Sequence, residues 1–347
     1  MKKEDYDNLR KQVLEFLPNK IIDAHVHAGT KAEDVNPEKQ KFYPLSYGLM
    51  KNRVLTAPIN LFSRAFPNSE VKMVGFPLPL PFKEINPLEW NNELMINEMK
   101  KGIYGLMIWI RDIEQMKKSL DIAKNNNLEF RGIKFHPRLF PEKEKHTVLL
   151  SDMINNKLLD FAEKNKLSLI LELSHEFCKE DVNLLQQIDQ TYNINTIIPH
   201  LGYNYRGFTL TNDEYKKTLD NNTEEFEKDF NKLADTKRIF MDTAIVTDQR
   251  MIQAGLKVFG EDKIIYGSDF PFCFTAKIKE NRPEDKELIK ILKKIIEGKA
   301  DNLENIWQYD YNLYILIKAI IDAEKALNLD IRNKIMNNNA KKAFNLT

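Results

Sequence analysis

The chain has 347 residues, 42% of them hydrophobic and 30% charged, which is ordinary globular composition. Its 52 basic and 51 acidic residues leave a net charge of +1, so nothing in the balance calls for nucleic acid or an acidic membrane surface. No apolar run reaches the ~18 residues of a membrane span, the N-terminal MKKEDYDNLRKQVLEFL lacks a signal peptide's apolar core, and Cys178 and Cys273 alone make no disulfide framework. A reduced, cytoplasmic protein is expected.

Eight short β-rich runs follow one another: KIIDAH, VKMVGF, YGLMIWI, RGIKFH, LSLILEL, NTIIPH, RIFMDT and KIIYGSD. Most are continuously apolar rather than alternating, which marks strands buried on both faces. Amphipathic stretches such as LLSDMINNKLLDFAEKNK and DQRMIQAGLKVFGED lie between several of them. Strand and helix in alternation mean parallel strands with crossover helices, and eight units close into a (β/α)8 TIM barrel. A doubly wound open sheet is the alternative. It usually carries a Gly-rich phosphate turn after its first strand, where this chain has AHVHAG. The expectation is one barrel domain over residues 1–347. A long loop from 29 to about 69, broken by four prolines, leaves strand 1 and is expected over the mouth as a lid. Helical stretches at 284–298, 311–327 and 331–344 exceed one closing helix and are expected against the barrel's outside or floor.

Barrel enzymes of this kind build their sites from the C-terminal ends of the strands. Strand 1 delivers His25 and His27, and a strict alternation puts both on one face with Asp23. Two imidazoles there form a pincer for a transition metal. Strand 4 delivers Lys134 and His136, strand 5 Glu172 with His175 just beyond, strand 6 His200, strand 7 Asp242 and strand 8 Asp269. Five of the six histidines thus fall at or just past strand ends, and only His146 lies elsewhere.

IIDAHVH, NTIIPHLGY, KIIYGSDFPF and the closing NNNAKKAFNL, in that order, resemble the motifs of the metal-dependent amidohydrolase superfamily. The nearest branch in kind is the one containing aminocarboxymuconate semialdehyde decarboxylase and related hydrolases. FRGIKFHP resembles a strand-4 variant of that branch, so the resemblance runs from residue 20 to 346. It implies that His25, His27 and Asp269 bind a divalent metal, Zn2+ before Mn2+. It also implies that Asp269 takes a proton from water and that His200 acts as acid, base or substrate clamp. Dimers are common in the family, so a homodimer is a further expectation. Hydrolysis of a C–O or C–N bond in a small carboxylated or cyclic substrate is the leading reading. Non-oxidative decarboxylation is the runner-up, and a barrel that binds without catalysis is the alternative of another class.

The chain departs from the pattern at strand 5, where the family has a histidine and this sequence has LSLILELSH. Counting along the strand puts Glu172 in the ligand position; His175 serves only if the strand runs longer or its loop folds back, and if neither binds, His136 or a water completes the site. Lys134 is read as an inward cation, with a carboxylated, metal-bridging lysine as the alternative. His136, Arg138 and Arg206 are candidates for a substrate carboxylate, since a guanidinium matches one bidentately.

Overall fold

Each of the eight apolar runs forms a strand: β1 Lys20–Ala28, β2 Glu70–Pro77, β3 Tyr104–Ile108, β4 Gly132–Phe135, β5 Ser168–Leu171, β6 Thr196–Ile198, β7 Ile239–Asp242 and β8 Ile264–Ile265. The computed structural model describes residues 3–28, 62–78, 90–140, 148–173, 179–202, 227–228, 230–270, 272–275, 290 and 307–346. The strands pair in parallel in sequence order, β1 through β8. Just past β8 the chain returns to β1. The amide of Ala24 donates to Tyr266 O, that of Asp269 to His25 O and that of His27 to Phe270 O, each at 2.9 Å. These bonds close the ring, and a doubly wound sheet is excluded.

Helices fill the outer layer. The principal ones are α1 Lys3–Phe16, α2 Ile113–Asn125, α3 Asn156–Lys164, α4 Lys179–Thr191, α5 Gln249–Phe259 and α6 Trp307–Leu327. Their starts follow capping chemistry. The Asp112 side chain accepts from the amides of Glu114 and Gln115, Asn155 from Leu158, and Asp248 from Arg250. α5 ends at Gly260, whose φ of 74° few other residues adopt cheaply. α6 packs on α1, with the Tyr6 and Tyr314 rings 5.9 Å apart. Among the described residues no helix is long and apolar enough to cross a membrane.

The barrel interior is a separate apolar cluster of Ile22, Ala24, Val74, Phe76, Leu106, Ile170, Ile197, Phe240 and Ile265. Its floor is the C-terminal segment, which contributes Ala340, Ala343, Phe344 and Leu346. Ser168 Oγ donates to Ala343 O at 2.6 Å, and Asn339 Nδ2 donates to Glu261 O and Ile264 O at 2.7 and 2.8 Å. The expected stretch at 331–344 is therefore the plug, built from a π-helical turn, Lys334–Asn338, and a short α-helix, Asn339–Ala343. The expected helix at 284–298 and the loop at 29–61 lie outside the described residues, apart from Lys290.

Candidate metal centre

Period-2 alternation carries the interior upward into polar groups. Gly132 is followed on its face by Lys134, Ile170 by Glu172, Phe240 by Asp242, and Ile265 by Gly267 and Asp269. β1 breaks this rule, which corrects the expectation that Asp23, His25 and His27 share one face. Its register against β2 shifts between Asp23 and Val26. Ala24 and His25 thus both turn inward, Ala24 into the interior cluster and His25 against Phe76 of that cluster at 5.0 Å between rings. Asp23 is left beside Tyr266 of the outer core, accepting the amides of Ser268 and His25 at 2.9 and 3.2 Å. Burial there pushes its carboxyl up to about 7. Gly267 allows the approach of β8, because a Cβ at that position would lie 2.8 Å from His25 Cβ.

His25, His27 and Asp269 come together as a buried group whose candidate ligand atoms all lie within 4.8 Å of one another. Asp269 Oδ1 is 2.9 Å from His27 Nε2 and 3.4 Å from His25 Nε2. Two atoms each about 2.1 Å from a shared ion lie about 3.0–3.4 Å apart, so these spacings fit a common cation. His25 Nε2 and Asp269 Oδ2 are buried without a hydrogen-bond partner, and lone pairs so placed call for a cation. Burial, against the pull of Asp269, lowers the His27 ring to about 4, so it is neutral and ligand-ready at pH 7.

Asp242 fixes the tautomer of His25. Its Oδ2 lies 2.8 Å from His25 Nδ1, which must donate, leaving the lone pair on Nε2 aimed at the cation position. Its Oδ1 accepts the amides of His200 at 2.8 Å and Ala244 at 3.0 Å. Burial opposes ionisation of Asp242, but His25 and His200 outweigh it and hold the carboxyl below its ordinary value. A second group, His25, His200 and Asp242, is also within ligand spacing, yet both Asp242 oxygens and both His200 ring nitrogens are spent on hydrogen bonds. Asp242→Asn should therefore lower metal affinity about 10–100-fold, the usual cost of losing the partner that orients a ligand histidine. Chelator competition measures this, and unchanged affinity would dismiss the orienting role.

His200 reaches the site through its backbone. His200 and Leu201 have φ of 58° and 53°, left-handed conformations that cost roughly 1–2 kcal/mol each in a non-glycine residue. The amide bond to Asp242 holds the turn. The His200 ring donates from Nδ1 to Ala244 O at 3.0 Å and from Nε2 to Glu172 Oε1 at 3.1 Å. Both partners are acceptors, so the ring is an imidazolium. Burial would lower its pKa, but the Glu172 charge and hydrogen bond outweigh burial and raise it to about 9.

Glu172 carries Lys134 on its other oxygen, with Nζ to Oε2 at 2.6 Å. Burial would raise the Glu172 carboxyl, but Lys134 and then His200 hold it well below the usual carboxylate range. The same Lys134 ammonium stands 4.8 Å over the Phe76 ring. His136 is buried close enough to add to the field on Glu172. Arg138 has its backbone in a 3-10 turn, Pro137–Leu139, but its side chain, like His175 and Arg206, lies outside the described residues. With its folded pKa above the ordinary 6.5, His200 contributes stability fully below that pH and loses it as pH rises through about 9. The urea midpoint of chelator-treated protein should fall over that window, and Glu172→Gln should flatten the fall.

Residues 22–346 match the amidohydrolase family model. The chain belongs to the amidohydrolase family. That membership places it among enzymes of the amidohydrolase type. Similar solved structures agree on the fold. An amidohydrolase from Burkholderia multivorans with bound zinc is 14% identical, with 94% of this chain and 99% of that chain covered at a TM-score of 0.54. Amidohydrolase 2 from Bifidobacterium longum subsp. infantis is 11% identical, with 95% and 100% covered at 0.52. A dihydroxybenzoic acid decarboxylase from Polaromonas sp. JS666, with bound manganese and the inhibitor 2-nitroresorcinol, is 12% identical, with 95% and 98% covered at 0.50. No curated protein matches the sequence.

Proposed function

We propose that this amidohydrolase is mononuclear, that His25, His27 and Asp269 hold its divalent ion, and that it hydrolyses a C–O or C–N bond in a small carboxylated or cyclic substrate. The observation that carries this is the buried trio, with His25 Nε2 and Asp269 Oδ2 lacking any other partner. Zinc, bound by the Burkholderia neighbour, suits a two-imidazole, one-carboxylate set, and manganese, bound by the Polaromonas neighbour, is the second choice. A divalent ion at such a site polarises substrate oxygens and lowers the pKa of water toward about 7.

The chain's own groups then do the following. Asp269 Oδ2, buried with no hydrogen-bond partner on the carboxylate whose Oδ1 meets His25 and His27, serves as the base for the attacking water. His200, held as a cation, faces the charge that develops on the substrate oxygen and can pass a proton to the leaving group. Lys134, Glu172 and His200 together carry one net positive charge, which complements a substrate carboxylate. Phe76 and Phe272 pack edge-on against His27 at 4.9 and 5.3 Å, lining the site with apolar rings. Decarboxylation is the second reading, favoured by His200 as a ready acid beside the same ligands and consistent with the Polaromonas neighbour. The test is metal analysis of protein purified without chelator, followed by assay on lactone, amide and hydroxybenzoate panels. About one equivalent of ion, with turnover restored by adding it back after stripping, is expected. Less than a tenth of an equivalent, with no stimulation by zinc or manganese, would sink the reading.

A further inference from the structure

Glu172 occupies the strand-5 position from which a metal ligand is expected, yet both of its oxygens are already engaged. Oε2 takes the Lys134 ammonium at 2.6 Å and Oε1 takes His200 Nε2 at 3.1 Å. All three side chains are buried, Lys134 at 0% and Glu172 at 4% exposure. No candidate ligand group among the described residues includes Glu172. The Phe76 ring packs edge-on against His25 and His27 and also lies 4.8 Å under Lys134 Nζ. Glu172 lies outside ligand spacing of His25, His27 and Asp269, and moving its carboxylate to the ion would draw it away from Lys134 Nζ and His200 Nε2, weakening the pairing of two buried cations.

Resting on the metal-enzyme reading above, we infer that Glu172 is a positioning residue and not a metal ligand. It is the buried counterion that pairs Lys134 and holds His200 as a fixed cation, and among the described residues β5 supplies the ion with no protein ligand. The centre is then asymmetric. β1 and β8 hold the metal, while β4, β5 and β6 hold an ionic chain that presents one imidazolium to the substrate. Lys134, bonded to Glu172, is not available as a carboxylated bridge, which fits a single ion.

Cobalt-substituted protein tests this directly, because visible Co2+ bands report the ligand set independently of turnover. Glu172→Gln should bind about one equivalent of Co2+ with wild-type band positions and an affinity within about tenfold of wild type. Metal-free Glu172→Gln should melt well below the metal-free parent, because Lys134 is left buried without its counterion. The double variant Lys134→Met/Glu172→Gln should recover much of that loss while keeping the cobalt spectrum. It also carries the spectral measurement should the single variant fail to fold. A shift in the bands, or loss of cobalt in the variants, would overturn the inference, as would a double variant no more stable than Glu172→Gln. Failure of the parent to bind any ion would instead count against the metal reading, and the melting arm would still decide the ion pair.

Discussion

Replacing His25 and His27 together by alanine is expected to abolish stoichiometric metal binding while leaving a folded barrel. Together they supply two of the three candidate ligand atoms, and Asp269 alone is one oxygen on one strand end. The barrel does not depend on either imidazole for closure, because the bonds from Ala24, His27 and Asp269 that join β1 to the segment after β8 are made by backbone groups. Asp242 would lose one partner but keep the amides of His200 and Ala244 on Oδ1. Residues at this face of a barrel serve the site more than the fold. Metal analysis should give less than about a tenth of an equivalent. The melting temperature should differ from that of the stripped parent far less than loaded parent differs from stripped, since most of that gap is the ligand-binding contribution. A full equivalent of metal in the double variant would show that the ligands lie elsewhere.

The barrel was legible because strands buried on both faces read as unbroken apolar runs, and every run found that way is a strand. The chemistry-bearing positions were legible as run ends: His25, His27, Lys134, Glu172, His200, Asp242 and Asp269 all fall at or near the C-terminal ends of their strands. Their partnerships were not legible. Asp242 was visible at the end of β7, but its role depends on His25, 217 positions away, and no local pattern encodes that pairing. The shift in β1 was hidden for the same reason, because the bonds that bind it come from the segment after β8. His200 turns inward through a left-handed backbone that a histidine rarely adopts, so alternation alone would have pointed it outward. Glu172 shows the limit most clearly. Spacing reads it as a ligand, and only the positions of Lys134 and His200 show that its charge is already matched.

Asp269→Asn is expected to retain metal within about tenfold of wild-type affinity, because the amide keeps one ligand oxygen, yet to lose turnover by at least the ~10²–10⁴ that general-base catalysis contributes. The substitution is conservative for the fold. Asp269 holds its φ of 58° through its amide bond to His25 O and the tight turn to Phe272 N, both made by the backbone. Asparagine is among the residues that accept this conformation. What disappears is the basic carboxylate oxygen, Oδ2, that lies buried and unpartnered beside the ligand atoms. His200 would still present its proton, so a decarboxylase that uses Asp269 only to hold the ion should fall much less than a hydrolase that uses it as a base. The size of the drop on an identified substrate therefore separates the two chemistries. Turnover close to wild type would remove Asp269 from the proton path and leave His200 as the proton carrier.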